Sequence, residues 1–126
     1  MKIDIVTYDQ ALKLKEKNFD WPCHYWYNYR EELIFDKDAL PANQNSFQQI
    51  PAHADAPTFN DVRDWAREVH NYDIQIFWEP CLECWGYNIV AIAAPEYHIV
   101  DKIIDVSFAK YTEAFSKAID KFLEIT

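Results

Sequence analysis

Tyr72-Asp-Ile-Gln-Ile-Phe-Trp-Glu-Pro-Cys-Leu-Glu-Cys-Trp-Gly-Tyr-Asn-Ile-Val-Ala-Ile-Ala-Ala94 is the stretch that sets the fold. Tyr72, Ile74, Ile76 and Trp78 alternate with Asp73, Gln75, Phe77 and Glu79. A period of two is the mark of a strand, because successive side chains point to opposite faces. Residues 79–84, with Pro80, read as a turn, and residues 85–94 return as a second strand. The stretch therefore predicts a β-hairpin, closed by Pro95.

Helical patterns flank the hairpin. Downstream, Phe108, Tyr111, Phe115, Ala118, Ile119 and Phe122 fall at i, i+3, i+7, i+10, i+11 and i+14. That spacing gives a broad apolar stripe, with Lys110, Glu113, Lys117, Asp120 and Lys121 mostly outside it. Upstream, a helix opens at Thr58-Phe-Asn-Asp61, and Phe59, Val62, Ala66 and Val69 share a stripe with Trp65 on its shoulder. The first helix of the chain begins at Thr7-Tyr-Asp-Gln10, which has capping-box spacing. Tyr8, Ala11, Leu12 and Phe19 lie near one face of it, with Leu14 at the edge. Asn18 is placed to end it in a left-handed conformation, and Pro22 forbids continuation.

Residues 23–30 alternate again. Cys23, Tyr25, Tyr27 and Tyr29 point one way, and His24, Trp26, Asn28 and Arg30 the other. This reads as a strand with one aromatic face and one mixed face. Leu33-Ile34-Phe35 either extends it or starts a second short strand. Residues 36–57, with Pro41, Pro51 and Pro57, read as a long irregular loop. Loops of that length in compact domains tend to be functional or mobile. The expected architecture is one α+β domain over residues 1–126. It has three helices on a small antiparallel sheet of about three to four strands, in the order α-β-loop-α-β-β-α.

The 126 residues carry one glycine, Gly86. Phosphate loops and dinucleotide turns need several, so a Walker loop, a G-x-G-x-x-G turn and a G-x-S-x-G elbow are excluded. Net charge is −9. Residues 1–22 balance four basic against four acidic side chains, so all the excess lies beyond them. That field repels a phosphate backbone, and direct nucleic-acid binding is not expected. The longest apolar run, residues 89–94, is six residues, far short of the ~20 that span a membrane. The N-terminal residues lack the apolar stretch of an export signal, and three cysteines cannot complete a disulfide framework. A reducing cytoplasm is the expected compartment.

Cys81-Leu-Glu-Cys84 is the one pair with metal-ligand spacing. Two thiolates so placed bind zinc if further ligands arrive, from Cys23 with His24 or from His53, His70 or His98, and a redox dithiol or unligated cysteines are the other readings of the pair. Serine and histidine form no nucleophile context, and the acidic pairs Glu31-Glu32, Glu79 with Glu83, and Asp101 with Asp105 read as solvated charge. The run Trp21-Pro-Cys-His-Tyr-Trp-Tyr-Asn-Tyr29 is denser in aromatics than a core strand needs. Its mixed face, with His24, Trp26 and Arg30, is the expected binding platform, since Trp, Tyr and Arg dominate interface hot spots.

Three blocks of the chain resemble small uncharacterised proteins of bacteriophages and prophages. Residues 7–23 look like their "T-Y-E-Q-A-x-x-L-K-E-x-G-F-D-x-P-C", with Asn18 where glycine is usual. Residues 56–65, Ala-Pro-Thr-Phe-Asn-Asp-Val-Arg-Asp-Trp, are similar to their second-helix opening, and Lys110-Tyr-Thr-Glu-Ala114 to their final helix. The resemblance implies a phage-related setting in a bacterial cytoplasm and carries no activity with it. The leading expectation is a non-enzymatic binding protein with a protein partner or a second copy of itself. A small zinc-binding protein using Cys81 and Cys84 is the first alternative, and an enzyme of unread chemistry the second.

Overall fold

A computed structural model describes residues 4–35, 53–93 and 98–126. The chain forms two compact units, Met1–Thr58 and Phe59–Thr126. The α+β class holds: among the described residues there are three helices and two three-stranded antiparallel sheets. No described helix is long and apolar enough to cross a membrane.

The first unit begins with α1 (Tyr8–Glu16). Its capping box forms as the sequence predicts. Thr7 Oγ1 accepts from the Gln10 N–H at 3.2 Å, and Gln10 Oε1 accepts from the Thr7 N–H at 2.9 Å. Asn18 takes φ 63°, and the Phe19 N–H folds back onto the Leu14 carbonyl at 3.0 Å. Leu14, placed at the stripe's edge by spacing, is fully buried with Val6, Ala11 and Phe19.

Residues 23–30 do not form one strand. β1 is only Tyr25–Tyr27, and β2, Leu33–Phe35, pairs with it antiparallel, Trp26 opposite Ile34. The interruption is a turn built by Asn28. Its Oδ1 accepts from the Arg30 and Glu32 N–H groups at 2.9 and 3.0 Å, and Glu31 takes φ 61°. A side chain that satisfies two backbone donors offers the chain a turn in place of a ladder. Most of the expected loop, residues 36–52, lies outside the described residues. Its end is not loop: β3 (Ala54–Asp55) pairs with β1, giving the order β2-β1-β3.

The second unit holds α2 (Phe59–His70), β4 (Tyr72–Glu79), β5 (Cys84–Ala93), β6 (His98–Phe108) and α3 (Tyr111–Ile125). The predicted hairpin is β4 and β5, in register from Tyr72 opposite Ala91 to Glu79 opposite Cys84. β6, which the sequence reading left unassigned, adds to β5 with two register shifts. Phe108 accordingly ends a strand and does not start the last helix.

One face of this sheet carries Tyr72, Ile74, Tyr87 and Ile89, and α3 lies on it. Phe122 meets Tyr72 at 5.9 Å and Trp65 of α2 at 6.1 Å, both edge to face. Burying each such ring adds about 1.5–3 kcal/mol. Val69, expected in the α2 stripe, is exposed, and His70 closes that turn with its ring 4.5 Å from Trp65. The single glycine sits on the opposite face. A Cβ on Gly86 would lie 2.7 Å from the Asp105 carbonyl oxygen and 2.9 Å from Val106 Cγ2, so close strand approach is what requires it.

Candidate functional site: an aromatic ladder in the first unit

β1 presents Trp26 on the face opposite Tyr25 and Tyr27. Tyr27 is tied inward: its hydroxyl donates to the Val6 carbonyl at 2.7 Å, and its ring meets Tyr8 edge-on at 5.5 Å. Burial pushes the Tyr27 phenol above its ordinary pKa, since a phenolate there would lose water. Trp26 is half-buried and stands 5.1 Å from the ring of His53. Tyr29 stacks on the other neighbour, its ring 6.3 Å from His53 and 13° from parallel. The Arg30 guanidinium lies 5.3 Å over the Tyr29 ring, and its Nε donates to the Tyr29 hydroxyl at 3.0 Å.

The result is a ladder, Trp26–His53–Tyr29–Arg30. Sequence alternation assigned Tyr29 to the other face. The Asn28 turn takes it out of the strand and swings it to His53. Sequence reasoning offered His53 only as a possible zinc ligand and missed its place in the ladder, because β3, beside which it lies, is two residues long and has no periodicity to read. His24 is exposed but stands apart from the ladder, with Phe35 its ring neighbour at 6.3 Å. Phe35 in turn stacks on Tyr25 at 4.6 Å.

The ladder has a firm base. The Lys15 ammonium donates to the His53 carbonyl at 2.6 Å. Burial lowers the Lys15 pKa, and the neighbouring Asp55 carboxylate partly restores it. Asp55 is itself fully buried opposite Trp26. Above this base, Tyr29 remains 58% exposed. Aromatic faces and a guanidinium fork, held in place but open to solvent, can stack on a partner's side chains and pair with its carboxylates.

The cysteines fall into both units. Cys23 is buried in the first, its Sγ 3.4 Å from the Trp21 carbonyl that accepts from it. Cys81 and Cys84 lie at the hairpin turn of the second, one exposed and one half-buried. Among the described residues, no group of three His, Cys, Asp or Glu side chains is placed to hold a metal ion. Beside that turn, Trp78 is 46% and Leu82 65% exposed, and Trp78 meets Trp85 edge-on at 5.4 Å. Trp78 and Trp85 lie opposite each other in the β4–β5 register.

Comparison with protein-family models, with curated proteins and with solved structures finds no match.

Proposed function

We propose that the protein is a non-enzymatic binding protein that engages a protein partner through the Trp26–His53–Tyr29–Arg30 ladder. The exposure of Tyr29 carries the reading. Tyr29 is 58% exposed, yet its ring is in contact with a guanidinium and an imidazole. A ring ordered before binding loses less side-chain entropy on docking, which favours affinity. The backbone agrees with this. Glu31 beside the ladder holds a left-handed φ of 61°, a conformation that costs a non-glycine residue about 1–3 kcal/mol and gathers at functional sites. His24 belongs to the flank of this surface. A partner in a bacterial cytoplasm, in the phage-related setting of the resemblance, completes the proposal.

The test is capture from bacterial lysate by the full chain and by three variants, Tyr29→Ala, Arg30→Ala and Trp78→Ala, each checked for native circular dichroism. The ladder variants should lose the captured protein while Trp78→Ala keeps it. The reverse pattern moves the binding surface to the second unit. Native mass spectrometry of the purified chain reads the other occupant. If a dimer forms and Tyr29→Ala dissolves it, the partner is a second copy.

A further inference from the structure

The hairpin turn of the second unit holds chemistry that binding through the first unit does not use. Glu79 and Cys84 form the last paired rung of β4 and β5, and residues 80–83 make the turn. The Cys81 N–H donates to Glu79 Oε1 at 3.1 Å, which ties Cys81 back toward that rung. Glu83 takes φ 51°, and this left-handed step returns the chain so that Cys84 enters β5. One tight reversal thus carries two thiols three residues apart. Disulfides close over Cα separations up to about 6.8 Å, a span that two residues three apart reach where the chain reverses between them. The two thiols also differ. Cys81 is exposed, as an attacking sulfur must be, and Cys84 is half-buried. A disulfide needs no donor beyond these two.

We propose that Cys81 and Cys84 are a thiol–disulfide exchange site that takes a small-molecule disulfide, such as glutathione disulfide, as reactant. The Cys81 thiolate attacks one sulfur of that disulfide. A Cys81–glutathione bond forms, and one glutathione leaves as thiolate and takes up a proton. The Cys84 thiolate then attacks the Cys81 sulfur. The Cys81–Cys84 bond forms and the second glutathione leaves. The protein loses two electrons and two protons, and the small disulfide gains both.

Intact-mass analysis of the full chain after incubation with glutathione disulfide tests this, with peptide mapping to place the bond. The wild type should lose two hydrogens, retain no glutathione and recover with dithiothreitol. Cys84→Ser should trap one glutathione on Cys81, and Cys81→Ser should react far more slowly. Cys23→Ser should behave as wild type. Tryptophan emission should change reversibly on oxidation, because Trp85 adjoins Cys84 and lies 5.4 Å from Trp78. A stable glutathione adduct on wild-type Cys81, a bond to Cys23, or a disulfide between chains would each overturn the proposal.

Discussion

The two units are rich in the same residues and use them in opposite ways. In the second, strands of 8, 10 and 11 residues and helices of 12 and 15 bury Trp65, Phe115 and Phe122 in an apolar layer. In the first, strands of three, three and two residues are too short to make such a layer. Apart from Phe19, which is fully buried, its described aromatics sit half-open or exposed. A small apolar core of Val6, Ala11, Leu14 and Phe19 is joined there by directed polar ties: the Thr7–Gln10 box, the Asn28 turn, Lys15 on the His53 carbonyl and Tyr27 on the Val6 carbonyl. Among the described residues, both fully buried polar side chains, Gln10 and Asp55, belong to this unit. Apolar layers resist small polar changes and fail when a cavity opens. A polar framework does the reverse.

The largest effect should therefore come from emptying the second unit's core. Phe122 is fully buried among Trp65, His70 and Tyr72. Phe122→Ala should cost about 3–5 kcal/mol, read as a shift in urea midpoint. Tyr29→Ala, in contrast, should leave that midpoint within about 0.5 kcal/mol, as surface changes do. Equal losses from the two would break the contrast between core and surface aromatics. Next in size is overpacking. Gly86→Ala should cost about 1–3 kcal/mol, since its methyl group would press on the Asp105 carbonyl and Val106. A neutral result would mean that β6 can move away from β5.

The second unit was the more legible in the sequence, and for the same physical reason. Long strands and helices repeat their apolar period often enough to stand out, as with Tyr72, Ile74, Ile76 and Trp78 or Phe115, Ala118 and Phe122. β6 was the exception: Ile99 and Ile103 in one alternating set and Val100, Ile104 and Val106 in the other put apolar residues in both, with Asp101, Lys102 and Asp105 between them, so no simple apolar–polar alternation stands out. In the first unit the helix, part of the strand at 23–30 and the second short strand at Leu33–Phe35 were legible, and the helix ends most sharply, because capping chemistry is local. The Thr7–Gln10 box and the left-handed Asn18 follow from four-residue windows. The ladder pairs Tyr29 with a histidine 24 positions on, through a two-residue strand, and no local pattern encodes such a contact. Trp26 and Arg30 were found by composition, and Tyr29 and His53 only by the fold.

The polar framework of the first unit is tested by removing one tie. Thr7→Ala should cost about 1 kcal/mol, because the Gln10 N–H loses the Thr7 hydroxyl as its acceptor, while the backbone N–H of residue 7 can still donate to Gln10 Oε1. Amide exchange should rise in α1 and stay unchanged in α3. A global rise would mean that the two units unfold as one cooperative body.

The smallest effect separates the two units by pH. Tyr27 and Tyr87 both have phenols pushed above the ordinary value near 10, by burial in each case and at Tyr87 by neighbouring charge as well. Burial acts on Tyr27. On Tyr87 burial acts first, and the negative charges of Asp105, Glu124 and Asp120 add to it. Below about pH 10 both tyrosines are neutral, folded or unfolded, and stability does not respond. Above it the unfolded chain releases its proton first, so stability falls until the folded phenol ionises as well. Tyr87→Phe should flatten that fall with little change at neutral pH. Tyr27→Phe should flatten it too, but at the cost of about 1 kcal/mol at every pH, since the Val6 carbonyl loses its donor. Added salt should weaken the Tyr87 part, which draws on three carboxylates, and leave the Tyr27 part alone. Equal salt responses would mean that burial alone governs both rings and that the charge around Tyr87 is already screened.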